Sequence, residues 1–533
     1  MEDKLNVYEV TSFRGALSDY EDKGLPGAFK FGANLDIRKR IDSLSCNQAL
    51  VDEGLLEGSR SPSASESPSP SPSPSPSLSE SPSPSPSTGE SPSPSTTPSL
   101  SPSLSPSVTE SSSPSPSPSP SAGLTTTFED LIRFFVKCSD GYVYGFGDTG
   151  HIYRRDADNY WQWVYKDADG AIKGAEEMPK DDGTIYLGWC TDKKVKKKLI
   201  PGLDNWNDVE EVATNLDPAD WHTMKQVAGA TKIANMDKLA MVGYDGSFTN
   251  EALDLIPGNI AKTLLDRDGR VIIGTGKKGH LTKGINAAID AEVPLAQVGN
   301  DGKIYFVDMV NSMSSIKFPG GGQVNPGGVT SEVEDINIFD WEETALSWID
   351  KQKIGGMALF AVYGADTGKG GIYSYGRRTK NHPFVLNLEY QIDADELGAI
   401  VQVDGVILVS YKDGTDYGVK AVDSTAKAIG IYEGLDFKAP VKKPVNITTW
   451  KQAEVFMTPL PVDAYIEFYY KINKTGSFVK AKTADGSTSF TTEGADEAVF
   501  NIAAKGKIFE HKIILYPSGN NSPEIFRINT LFL

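Results

Sequence analysis

The chain has 533 residues, 39% of them hydrophobic and 10% aromatic, which is enough for about two to four domains with sizeable cores. A formal net charge of −19 argues against nucleic acid as a partner, because phosphate backbones recruit basic surfaces. Three cysteines, Cys46, Cys138 and Cys190, with no C-x-x-C pair signal neither a disulfide framework nor a zinc site.

Residues 1–6 lack the basic region and apolar run of a secretory signal. No stretch approaches the ~20 apolar residues that span a bilayer, so neither export nor membrane insertion is expected. Residues 1–58 carry strand-like material around Ile37 and a candidate helical turn over 48–56. They hold too few apolar side chains for a core of their own, and small isolated units are marginal. This N-terminal segment is therefore expected to dock on the propeller read below or to complete it.

Residues 59–121 are almost entirely Ser-Pro repeats with no aromatic residue. Such a tract buries too little apolar surface to offset the entropy of ordering, which predicts disorder. Proline at every second position favours an extended, polyproline-II-like spacer of ~3.1 Å per residue. Loop-closure entropy grows only logarithmically with length, so the tract can be an insertion looped out of a folded body.

From 122 to 437 the pattern is strand, tight turn, strand. Asp-Gly recurs at Asp140-Gly141, Asp169-Gly170, Asp182-Gly183, Asp245-Gly246, Asp268-Gly269, Asp301-Gly302, Asp404-Gly405 and Asp413-Gly414. The pair suits the positive φ angles of a type I′ hairpin turn. Only 209–216 and 331–348 read as short helices. Loose units the size of a four-stranded blade predict an all-β fold, a β-propeller of about six or seven blades. The texture changes near Pro440 and Pro444. Long alternating strands follow to the end, and 438–533 is expected to be a small C-terminal β-sandwich.

Several motifs carry a chemical reading beside a structural one. Gly274-Thr275-Gly276-Lys277-Lys278-Gly279 has dinucleotide-loop spacing, but no helical face follows it to present amides to a pyrophosphate. Asp156, Asp158, Asp167 and Asp169 are close in sequence, yet Tyr160 and Trp161 stand where a calcium loop needs a ligand and a glycine, so they read as turn acids. The basic run from Lys193 to Lys198 reads as a protected hairpin edge, with a docking strip as the alternative. Trp161, Trp163, Tyr160, Tyr165 and Trp189 read as core, with a sugar platform as the alternative. His151, His222, His280, His382 and His511 show no metal spacing. No catalytic, cofactor or metal residue is assigned, and a non-enzymatic protein is expected.

Three segments resemble a family of tailed-bacteriophage structural proteins. Phe13-Arg14-Gly15-Ala16-Leu17-Ser18 and Ala33-Asn34-Leu35-Asp36-Ile37-Arg38 are similar to its F-x-G-G-L-N … A-x-N-L-D-I-R opening, with Ala16 in place of the second glycine. The middle resembles its propeller. The end, through Tyr469-Tyr470-Lys471-Ile472-Asn473-Lys474 and Ser522-Pro523-Glu524-Ile525, resembles an appended sandwich. The resemblance implies a tail- or neck-associated virion protein, assembled in the host cytoplasm with other virion proteins and as a homo-oligomer. It implies a scaffold for assembly or host-surface contact and brings no catalytic residues. Two alternatives are a glycan-binding or glycan-cleaving tail protein, and a cell-surface adhesin on a Ser/Pro stalk.

Overall fold

A computed structural model describes residues 6–13, 16–17, 28–37, 42–56, 124–125, 128–200, 206–255, 260–267, 270–276, 295–298, 304–310, 313–318, 322–324, 357–362, 368–376, 385–438 and 447–533. Residues 1–61 and 124–533 form one compact unit. The expectations for the Ser/Pro tract and for a helix at 331–348 lie outside the described residues.

Among the described residues, seven antiparallel sheets follow one another between 132 and 427. The most regular are Gly174–Pro179, Ile185–Cys190, Val195–Leu199 and Glu210–Ala213, and then Met224–Val227, Ala230–Asn235, Lys238–Gly243 and Phe248–Asp254. The first strands stand side by side. Ile132–Lys137 neighbours Gly174–Pro179, which neighbours Met224–Val227, then Ile260–Arg267, then Leu295–Val298. On the other side, Met357–Val362 neighbours Glu396–Val403, which lies against Ile132–Lys137. Successive sheets linked through their first strands, with the last against the first, make a β-propeller. Separate hydrophobic clusters fill the gaps between successive blades, such as Phe146, Leu187 and Trp206 between the first and second.

Gln48–Asp52 pairs antiparallel with Asp416–Lys427 and supplies the fourth strand of the last blade. The helical turn expected over 48–56 is absent, because Gln48–Asp52 and Leu55–Leu56 are both strands. Pairing with a waiting sheet edge overrides a weak local preference. The 209–216 helix is likewise a single 3₁₀ turn, Trp206–Asp208, followed by the strand Glu210–Ala213.

Asp-Gly turns come in two kinds. Asp404 and Gly405 both have positive φ, 50° and 87°, and form the two-residue loop foreseen for this pair. At Asp140, Asp182 and Asp245 only the glycine has positive φ. There the carboxylate accepts the amide two residues on, from Tyr142, Thr184 and Ser247 at 2.9, 2.8 and 2.9 Å. Aspartate holds these longer turns through its side chain rather than through its own backbone angle.

Two further sheets of seven strands each form the sandwich. Its core stacks Trp450 on Phe509 at 4.7 Å and Phe468 on Phe500 at 5.5 Å. The sandwich is not the contiguous segment 438–533. One sheet includes Asn6–Val10, Leu35–Asp36 and Leu44–Cys46 beside Thr448–Met457 and Glu524–Phe532. The other includes Ala28–Ala33 and Gly430–Gly434 beside Ile508–Tyr516 and Tyr465–Ile472. Residues 6–46 therefore belong to the sandwich, and only 48–56 enter the propeller. The same segment holds the last strand of the sixth blade: Asn387 donates to the Leu35 carbonyl at 3.0 Å, and Asn47 to the Glu389 carbonyl at 3.1 Å.

The described segments that flank the tract in sequence meet. Leu55–Leu56 pairs antiparallel with Leu124–Thr125, and Leu55 also pairs with Trp161 of the first blade. Proteolysis inside the tract is expected to leave the two fragments associated on native size-exclusion chromatography and separable only in denaturant. Release of the N-terminal fragment under native conditions would contradict the shared sheets.

His511 is wholly buried in the sandwich beside Phe468, Phe509 and Tyr432, with neither ring nitrogen bonded to a described residue. Burial pushes its pKa down from 6.5 to about 4. The unfolded chain therefore binds the extra proton first, and stability falls as pH drops from 6.5 to 4 by ~3 kcal/mol from this group. Urea melts of His511→Phe are expected to lose that part of the acid sensitivity.

Candidate functional site

The first blade begins with Asp130, two residues ahead of Ile132–Lys137, and its second and third strands are joined by the turn Gly147-Asp148-Thr149-Gly150. Asp130 is 1% exposed and its Oδ2 grips this turn. It accepts from Thr149 N at 2.7 Å and from Thr149 Oγ1 at 2.9 Å, and it lies 3.2 Å from His151 Nδ1. Glycine is required at 147, since a Cβ there would meet Asp130 Oδ2 at 2.1 Å. The buried His151 ring rests on Trp163, centroids 5.2 Å apart.

Asp148 completes the cluster. Its carboxyl is 36% exposed and accepts from Arg133 Nη2 at 3.1 Å, and the same nitrogen reaches Glu396 Oε1 at 2.5 Å. Glu396 opens the inner strand of the last blade, so the cluster sits on the seam where the ring closes. There the inner strands approach closely enough that a Cβ on Gly398 would lie 2.1 Å from the Ile132 carbonyl.

The two carboxyls influence each other and their ionisations separate. Burial favours the neutral acid at Asp130, but His151, Asp148 and Thr149 outweigh it and hold Asp130 at about 2. Asp148 is raised to about 7 by burial and by neighbouring charged Asp130, which the nearby Arg133 only partly offsets. The pair keeps one proton near neutrality, and the more exposed acid carries it. Such an acid can donate or accept a proton in reach of solvent. The cluster went unremarked in the sequence because Asp130 and Asp148 belong to different local units. The one available signal was the Gly-Asp-Thr-Gly-His turn.

The other singled-out residues have structural places. Asp156 accepts amides from Asp158 and Tyr160 within its own turn, at 3.0 and 2.8 Å. Asp167, 1% exposed, accepts from Trp189 Nε1 and Lys196 Nζ, both at 2.6 Å. Asp169 is pulled below its ordinary value, chiefly by its bond to Lys196. The basic run is neither a hairpin edge nor an open docking strip. Val195–Leu199 lies inside its four-stranded sheet, with Lys194 bonded to Glu211, Lys197 to Glu210 and Lys198 to Asp208 at 2.7, 3.0 and 2.9 Å. Trp161 and Trp189 are fully buried core. Cys46, Cys138 and Cys190 are buried free thiols, and no metal-binding cluster of acids, histidines and cysteines occurs among the described residues. The side chains of 274–279, and His280 and His382, lie outside the described residues.

Asp148 predicts a pH effect of definite sign. Its folded pKa stands above the ordinary 3.8, so the folded state holds the extra proton between the two values. Its contribution to stability is full below about 4 and is lost as pH rises through about 7. Relative to Asp148→Asn, the wild-type melting temperature is expected to fall between pH 5 and 8. Parallel profiles would show that the two carboxyls do not share a proton.

No family model and no curated protein sequence matches the chain. Solved structures similar to it include virginiamycin B lyase from Staphylococcus aureus, at 14% identity over 56% of this chain and 97% of that one, with a TM-score of 0.37. A streptogramin B lyase is similar at 16% identity over 55% and 94%, TM-score 0.37. The PQQ-bound aldose sugar dehydrogenase of Streptomyces coelicolor is similar at 11% identity over 56% and 95%, TM-score 0.32. None of them transfers an activity to this chain.

Proposed function

We propose that this protein is a non-enzymatic scaffold of a tailed-phage virion, associated with tail or neck, whose propeller and sandwich serve assembly and host-surface contact. The reading draws on the opening and closing motifs that resemble such proteins. The observation that carries its non-enzymatic part is that both shifted carboxyls are tied into structural contacts, Asp130 Oδ2 with Thr149 and His151 and Asp148 Oδ2 with Arg133. Glycosidases hold their two carboxyls ~5–9.5 Å apart, with the sugar and often a water between them. Asp130, 1% exposed, cannot face a sugar, so the pair lacks the second solvent-facing carboxyl that such chemistry needs. The half-exposed Asp148, neutral near pH 7, favours a second reading in which a single acid assists cleavage of a host glycan.

The partners in this reading are other virion proteins and further copies of the chain. Mass spectrometry of purified virions is expected to find the chain at a fixed copy number beside known tail components. Incubation with host surface polysaccharide is expected to leave chain length unchanged. Absence from particles would overturn the virion role. Polymer shortening that disappears in Asp148→Asn would replace the scaffold with an enzyme.

A further inference from the structure

The outer face of one sandwich sheet differs in character from the rest of this acidic chain. Between Tyr465 and Lys480 there are three lysines and one acid. Alternation along Tyr465–Ile472 sends Ile466 and Phe468 into the core and sets Tyr465, Glu467, Tyr469 and Lys471 on the other face. The register with Ile508–Tyr516 places Tyr516 opposite Tyr465 and Lys512 opposite Tyr469. Tyr465 and Tyr516 stack with centroids 4.2 Å apart and planes 11° from parallel.

A buried carboxylate organises this face from beneath. Glu467 is 6% exposed and accepts from Tyr469 Oη at 2.6 Å, Tyr516 Oη at 3.3 Å, Lys480 Nζ at 2.5 Å and Ser489 Oγ at 3.0 Å. Four donors from separate segments are thereby held in fixed positions. Lysines lie over the rings: Lys471 and Lys512 stand 4.7 and 5.5 Å from the Phe478 centroid, and Lys480 stands 5.7 Å from that of Tyr469. The lysine side chains are the more exposed partners. The Lys471, Lys480 and Lys512 side chains are 17%, 30% and 24% exposed, while the side chains of Glu510 and Glu467, which pair with the first two, are 2% and 8% exposed. Glu433, which pairs with Lys512, is 20% exposed, so the ammonium groups and aromatic rings meet solvent over two submerged carboxylates and beside a third that is partly exposed.

We infer that this face is a binding site for an acidic polysaccharide, with half-buried tyrosine and phenylalanine rings taking the apolar faces of the sugars and lysines taking their carboxylates. Aromatic rings offer apolar bodies with polar tips suited to sugars. Lysine ammonium groups supply charge complementarity, and a face fixed beforehand binds at lower entropic cost. The inference rests on the host-contact reading above only for where such a polymer comes from.

Affinity electrophoresis of the full-length protein through gels holding alginate, dextran or oligothymidylate tests it directly. Retardation by alginate and not by dextran is expected, weakening as salt rises. Tyr465→Ala and Lys512→Gln are each expected to weaken alginate binding about tenfold, which is about one contact's worth of affinity. Tyr465 lies outside the Glu467 hydrogen bonds, and Lys512 makes a 3.5 Å surface pair with Glu433 and half-exposed ring contacts rather than core packing. Unchanged melting temperatures are therefore expected, and Tyr465→Phe is expected to retain binding. No retardation by alginate, equal retardation by dextran, stronger retardation by oligothymidylate, or indifference to both substitutions would each overturn the site. Failure here leaves incorporation into virions, read by mass spectrometry, untouched, and absence from virions leaves alginate binding untouched.

Discussion

The carboxylate of Glu53 is the point on which the closed ring depends. Glu53 follows the strand Gln48–Asp52 that completes the last blade, and its own amide donates to Val419 of that blade at 2.9 Å. Its side chain crosses to the first blade. Arg155 Nε donates to Oε2 at 2.8 Å and Nη2 to Oε1 at 2.5 Å, while Trp161 Nε1 donates to Oε2 at 2.7 Å. Glu53 and Arg155 are 7% and 9% exposed. Removing one partner of such a buried pair typically costs about 3–5 kcal/mol, because the other charge is left without compensation. The next residue, Gly54, accepts the Trp161 amide at 2.9 Å, so backbone and side chain make the same crossing. Just beyond this crossing, Leu55–Leu56 pairs with Leu124–Thr125, the described segments that flank the Ser/Pro tract in sequence.

A second constraint recurs around the ring. An acid placed ahead of an inner strand secures the turn or the strands farther out in the same blade. Asp130 holds the 147–151 turn, Asp167 holds Trp189 and Lys196, and Asp395 accepts from Gly414 at 2.9 Å. Backbone and side-chain donors enclosed between neighbouring blades must find acceptors. The seam differs because Asp148 projects from the turn that Asp130 holds, and Arg133 links Asp148 to Glu396. The result is a protonated acid near neutrality at the junction of the first and last blades.

The N-terminal segment joins the two bodies. Residues 6–46 run through both sheets of the sandwich before 48–56 enter the propeller. One continuous core runs from Trp450, Phe509 and Phe532 through Phe29 and Leu35 to Ile132, Phe135 and Val409 in the first and last blades. The aromatic and lysine face lies on the far side of a sheet whose inner face belongs to that core. Its side-chain positions are therefore set by the same packing that holds the sandwich together.

Features governed by local rules were legible in the sequence. Alternating strands, aspartate-glycine turns and the change of texture after the propeller follow from side-chain alternation and turn chemistry, which need only a few neighbouring residues. The burial of Trp161 and Trp189 followed from ring size. Pairings across the chain were not legible. Gln48–Asp52 finds Asp416–Lys427, and Asn6–Val10 finds Glu524–Phe532, across hundreds of residues with no motif to mark them. The lysine run appeared to lie at an edge because its acids, Asp208, Glu210 and Glu211, arrive from the next strand and the 3₁₀ turn before it. Asp130 and Asp148 became a proton-sharing pair only when the blade folded the turn back on its own entry residue. The sequence by itself determined most of the strands and where they turn, but not Gln48–Asp52, Leu55–Leu56 or Glu210–Ala213, which read as helical and became strands. Tertiary structure decided which edges meet, because every exposed strand edge has the same unpaired amides and carbonyls, and only ring closure and core packing select among partners.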